Sequence, residues 1–142
     1  MDKRRRFPND AAAIENDHYN ALKVSMKVGK GRILQLEFRA YNEGAAFRYI
    51  LPEQPHLGPS VVITGECSQF NLPQGCIAYE HRGAEGEYHP VAVSELKPDC
   101  ERPLTVVFPD GTYAAITEAG LVDHPRMLLA PDIEQRCAAQ PA

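Results

Sequence analysis

The densest group of chemically capable side chains is Tyr79-Glu80-His81-Arg82-Gly83-Ala84-Glu85-Gly86-Glu87-Tyr88-His89, which holds three carboxylates and two imidazoles. Carboxylate oxygens and imidazole nitrogens are metal ligands. Their spacing here matches no ligand pattern, and the glycines and charges read as a solvated polar loop. Glu118 is a second candidate. It closes the β-rich run Thr112 to Thr117 and is followed by Ala119, Gly120 and Leu121. A carboxylate among small and apolar neighbours at a strand end is placed to reach an adjoining site. Its burial is costly unless a cation or hydrogen-bond donors satisfy it. The plain alternative is a strand-end glutamate that is exposed or bonded to backbone amides, and pattern alone favours that alternative. Arg48, between Phe47 and Tyr49, could bind a sugar hydroxyl or a carboxylate. Such an arginine more often pairs with a cross-strand acid or lies flat over apolar surface. A Gly-x-Ser-x-Gly elbow, a phosphate-binding glycine loop, His-Glu-x-x-His and an EF-hand loop are all absent. The residues therefore supply no self-contained enzyme of those kinds.

The elements that must position these side chains are strands. Leu22, Val24, Met26 and Val28 alternate with Lys23, Ser25 and Lys27. After Gly29-Lys30-Gly31, Leu34, Leu36 and Phe38 alternate with Gln35, Glu37 and Arg39. After Asn42-Glu43-Gly44 come Phe47, Tyr49 and Leu51, around Arg48. Period-two alternation between glycine turns predicts a three-stranded antiparallel meander over Ala21 to Leu51, with Leu34, Leu36, Phe38, Phe47 and Tyr49 inward. Pro52 to Pro59 reads as a connection. Val61 to Thr64, Gln69 to Leu72, Ile77 to Tyr79 and Val91 to Val93 read as short strands. Leu104 to Phe108 and Thr112 to Glu118, around Pro109-Asp110-Gly111, read as a hairpin. Met127 to Leu129 is a last strand candidate. Residues 1–17 read as an irregular tail, 18–130 as the domain and 131–142 as a loose end, with a helical turn or two over Ile133 to Ala139.

The 142 residues suit one compact domain. Twelve prolines and ten glycines fit many short strands joined by turns better than helices. The fold class expected is all-β, an antiparallel β-sandwich. A net charge of −4 gives no basic face for nucleic acid. Lys3 to Arg6 is basic, but without aromatic neighbours or amphipathic pattern it reads as a solvated tail. No apolar run approaches the length of a membrane span, and no apolar core follows the basic start as in an export signal. Four cysteines (Cys67, Cys76, Cys100 and Cys137) allow three full pairings or free thiols, and the sequence does not choose among them.

Taken together, several runs resemble the N-terminal domain of glycoside hydrolase family 97. They are Leu36-Glu37-Phe38-Arg39-Ala40-Tyr41-Asn42-Glu43-Gly44-Ala45-Ala46-Phe47-Arg48-Tyr49, then Glu66-Cys67-Ser68-Gln69-Phe70-Asn71-Leu72-Pro73, Tyr79-Glu80, Glu87-Tyr88 and Pro103-Leu104-Thr105. The last is Asp110-Gly111-Thr112-Tyr113-Ala114-Ala115-Ile116-Thr117-Glu118-Ala119-Gly120-Leu121-Val122-Asp123. The resemblance covers about Asn20 to Ala130. It implies a mutarotase-like β-sandwich, shortened at both ends, that accompanies a (β/α)8 barrel in bacterial enzymes cleaving α-glucosides or α-galactosides. Such enzymes are often exported to the periplasm. It implies calcium as cofactor, with the catalytic carboxylates and most calcium ligands on the barrel and one ligand from this domain. By match to the Ile-Thr-Glu-Ala-x-Leu run, that ligand is Glu118, and no catalytic residue falls in this chain. The chain alone is then expected to be inactive. It is also expected to bind calcium no more tightly than roughly millimolar, because the ion takes six to eight oxygens and one carboxylate supplies at most two. Departures from the family pattern are Asn42-Glu43-Gly44 for Asn-Asp-Gly and His124 in place of an aromatic. The competing readings are a free-standing carbohydrate-binding module, which would stack sugars on exposed tyrosines, and a structural or interaction module.

Overall fold

The computed structural model describes residues 3–5, 15–29, 31–55, 57–58, 60–122, 124–131 and 137–141; for 3–5, 15–16 and 137–141 it describes the backbone course. The chain divides into two compact units, Met1–Val61 and Val62–Ala142. Every ladder in both is antiparallel.

In the first unit, β3 (Asn20–Val28), β4 (Arg32–Ala40) and β5 (Ala45–Ile50) form the expected meander. Gly29 and Gly31 have φ of 53° and 87°, the left-handed conformation that lets so short a turn reverse the chain. The register sets Leu22 opposite Phe38 and Val24 opposite Leu36, then Phe38 opposite Phe47 and Leu36 opposite Tyr49. Since side chains alternate across a strand, all of these share one face. The other face is polar: Glu37 takes Arg48 at 2.7 Å and Arg39 at 2.9 Å, and Gln35 bonds Ser25 at 3.2 Å. Arg48 thus pairs with a cross-strand acid. Arg48, then Arg39, holds the Glu37 carboxyl below the usual range. Where β5 has ended, the Gln54 carboxamide substitutes for a ladder partner. It accepts from Ile33 N at 2.7 Å and donates to Ile33 O at 2.9 Å.

Two expectations for this unit are corrected. The inward set is not enclosed: Leu34 and Leu36 are half-buried, while Phe38, Phe47 and Tyr49 are exposed, Tyr49 by 46%. The described residues of the unit supply no second layer over that face, so alternation gives the face correctly and burial incorrectly. The stretch before Asn20 is not wholly irregular either. β1 (Lys3–Arg5) pairs with β2 (Glu15–Asp17). Neither strand contains an apolar residue, so hydrophobic periodicity could not mark them.

Among the described residues the second unit has two sheets. One, in the order β10-β9-β7-β8, contains β7 (Ile77–Glu80), β8 (His89–Ala92), β9 (Leu104–Val107) and β10 (Tyr113–Ile116). The other, in the order β11-β12-β6, contains β6 (Gln69–Phe70), β11 (Met127–Pro131) and β12 (Cys137–Pro141). The core draws on both: Ala78, Leu104 and Val106 from the first sheet meet Leu129 from the second, with Cys76, Val93, Leu96 and Cys100 around them. Phe70, Val91, Ile116 and Met127 pack against this cluster. Two antiparallel sheets sharing an apolar interior are the arrangement of a β-sandwich, and the all-β expectation holds. The thiols of Cys67, Cys76 and Cys100 are free.

The hairpin β9–β10 follows its turn chemistry. Asp110 Oδ1 accepts from Thr112 N at 2.9 Å and Thr112 Oγ1 at 2.7 Å, and Gly111 takes φ 83°. Three readings are corrected here. Val61 to Thr64 joins no ladder among the described residues, and Val62 and Ile63 stand exposed, because strand propensity needs a partner strand to act on. Residues 137–139 are not helical but belong to β12, the middle strand of its sheet; 133–136 lie outside the described residues. Alanine favours helix locally, and pairing with β11 and β6 overrides it. The strand read over Val91 to Val93 is present as the end of β8, His89–Ala92, but Val93 opens a 3-10 turn, Val93–Glu95, instead of continuing it.

Candidate functional site

The hairpin register decides what Glu118 meets. Leu104 lies opposite Ile116. Two residues past Ile116 is Glu118, and two residues before Leu104 is Arg102. The two meet just beyond the ladder. Arg102 Nε forms an ion pair with Glu118 Oε1. Oε1 also accepts from Met127 N, the first residue of β11, at 2.9 Å. One oxygen thus ties the end of the first sheet to the start of the second. Oε2 accepts no hydrogen bond among the described residues, and 18% of the side chain is exposed.

Arg102 is held from its other end. Its Nη1 reaches Glu101 Oε2 at 2.6 Å, and Glu101 Oε1 takes Arg126 Nη1 at 3.1 Å. The charges run Glu118, Arg102, Glu101, Arg126, and the next residue, Met127, closes the ring onto Glu118. The Glu101 side chain is 8% exposed, so its charge depends on these two guanidiniums. Sequence reading missed Arg102, Glu101 and Arg126. Arg102 lies two residues before Leu104, where the pairing of β9 begins, and no local signal marks Arg126.

The Tyr79-to-His89 segment divides in two. Glu85, Glu87, Tyr88 and His89 are exposed or half-exposed, as a polar loop should be. Glu80 and His81 are instead buried, which corrects the solvated-loop reading at its first residues. Ala78 and Glu80 share the inward face of β7, so the period-two pattern carries the carboxylate inside. There Arg82 Nη2 meets Glu80 Oε2 at 2.9 Å and Lys97 N donates to it at 3.1 Å. Arg82 also donates to the carbonyls of Lys97 and Pro98. His81 stacks on Tyr88 at 4.3 Å between ring centroids. These residues staple a loop, and no group of three or more His, Cys, Asp or Glu among the described residues could hold a metal.

Chiefly Arg82, with Lys97 N, holds the Glu80 carboxyl below the usual range. Because the folded value is depressed, the stabilisation is full above the unfolded value of about 4.3 and is lost as pH falls through the folded one. Glu80→Gln should cost about 2 kcal/mol at pH 7, the scale of hydrogen bonds to a charged group. The difference from wild type should shrink steadily below about pH 4. Urea unfolding at both pH values checks it, and a gap independent of pH would remove the charge from the explanation.

Residues 6–141 match the family model described as glycosyl-hydrolase 97 N-terminal. The chain belongs to that family. The glycosyl-hydrolase 97 N-terminal match extends beyond the Asn20 to Ala130 stretch that carries the sequence resemblance, and includes the part of the chain that contains β12. Among solved structures, a glycoside hydrolase family 97 enzyme from Pseudoalteromonas sp. strain K8 in complex with acarbose is similar, with TM-score 0.86 and 23% identity over 99% of this chain and 22% of that one. A point variant of a family 97 enzyme from the same strain, in complex with panose, gives TM-score 0.80 and 20% identity over the same shares. The fold is shared, and the chain spans about a fifth of the length of those enzymes.

Proposed function

We propose that this family 97 domain works beside a (β/α)8 barrel in the hydrolysis of α-glucosides or α-galactosides, shaping the active-site rim and donating Glu118 to calcium. The observation that carries the reading is the asymmetry of Glu118: Oε1 is fastened by Arg102 and Met127 N, while Oε2 accepts no hydrogen bond among the described residues. A fixed carboxylate with one oxygen to spare fits calcium as a single hard-oxygen ligand, and the ion's irregular coordination accepts such a ligand from a second domain. When bound, calcium supplies Lewis-acid polarisation at the sugar or an attacking water. This chain's part is to hold one oxygen in place, and the two carboxylates of glycoside hydrolysis belong to the barrel. The complexes of the similar enzymes with acarbose and panose support a carbohydrate substrate.

The test joins this chain to a family barrel whose hydrolysis depends on calcium. Glu118→Gln keeps the shape and removes one charge, so it should raise the calcium concentration for half activity about tenfold, on the order of a lost ligand's 1.4 kcal/mol. If that concentration stays put while the fold is intact, Glu118 is a structural strand-end glutamate and the assignment fails.

A further inference from the structure

We propose that Arg102 is the positioning residue for the Glu118 carboxylate, fixing it as a one-oxygen ligand; this rests on the reading of Glu118 as a calcium ligand. Three observations support the role. Arg102 Nε and Met127 N both take Oε1, so the ion is left Oε2. The guanidinium is planar, and its Nη1 is anchored on Glu101 at 2.6 Å, so its Nε cannot swing away without breaking a second ion pair. The side chains of Arg102 and Glu118 are only 16% and 18% exposed, which limits the water that could replace either contact.

Two consequences follow for binding. A glutamate free to rotate loses side-chain entropy when a metal captures it; one already fixed loses less, which favours binding in a completed site. The same guanidinium offsets part of the carboxylate's charge and occupies Oε1, so Glu118 cannot chelate with both oxygens. The pair is arranged to complete a site that others have begun, rather than to capture an ion unaided.

The test has two arms. On the 142-residue chain, nuclear magnetic resonance should show an Arg102 Nε–H signal that is protected from solvent exchange and is displaced in Glu118→Gln. A signal exchanging like a free arginine, or unmoved by that substitution, overturns the proposal. In the barrel fusion, calorimetry reads calcium Kd directly. Arg102→Met should raise Kd about tenfold when Glu118 is present and leave it unchanged in the Glu118→Gln background. Arg102→Lys, which keeps the charge and a donor, should lie between and serves if the methionine variant does not fold. If Glu118→Gln leaves Kd unmoved, the calcium reading of Glu118 fails and the proposal with it. If Glu118→Gln weakens binding but Arg102→Met does not, or weakens it equally in both backgrounds, Glu118 keeps its role and Arg102 loses the one proposed here.

Discussion

Replacing Leu104 with alanine should lower the unfolding free energy by about 3–4 kcal/mol, within the range for leucine truncations in a packed core. Leu104 is wholly buried in the same cluster as Leu129 and Val106, so it contributes where the two sheets of the second unit share their interior. Truncation removes the transfer term and leaves a void that strands cross-linked by ladders cannot readily close. Such a loss is a large share of the roughly 5–15 kcal/mol that holds an ordinary domain. Leu22→Ala is the control. Leu22 lies in a regular strand but is 61% exposed, and its truncation should stay within about 0.5 kcal/mol. Urea unfolding with unchanged slopes measures both. Equal effects would show that the core does not lie where the buried residues place it.

Glu101→Ala should cost about 3 kcal/mol, the lower end of the cost of breaking a buried ion pair. The lower end applies because Arg102 keeps Glu118 when Glu101 is removed. Arg126→Ala cuts the same ring at its exposed end, where the arginine side chain is 53% accessible, and should cost under about 1 kcal/mol. The contrast separates burial from the number of contacts. If the two variants unfold alike, desolvation does not set the stakes of this ring.

The sequence displayed the second unit's hairpin and the first unit's meander because both announce themselves locally, through alternation and through Gly29, Gly31 and Asp110-Gly111. For Arg48 it offered a cross-strand acid as one of its alternatives, and the register decides for it, since Glu37 is its neighbour. It did not display β12, whose alanines pair only because β11 and β6 flank them, nor β1 and β2, which have no apolar residues. The burial of Glu80 was hidden for a related reason. Charge suggested solvent, while the parity of β7 directed the side chain inward, where Arg82 and Lys97 N satisfy it. At Glu118 the motif pointed to the residue, and only three-dimensional pairing showed which of its oxygens is engaged.

The meander's two faces also determine which length changes this domain can absorb over generations. Along β4, Leu34, Leu36 and Phe38 occupy one side while Gln35, Glu37 and Arg39 occupy the other. Deleting one residue inside that strand shifts every later side chain across the sheet, carrying Glu37 and Arg39 to the apolar side and stranding their partners. Deleting two restores the sides. Insertions at Gly29-Lys30-Gly31 or Asn42-Glu43-Gly44 leave them alone. In descendants of this chain, gaps should therefore collect at those two turns, and those within the strands should come in pairs.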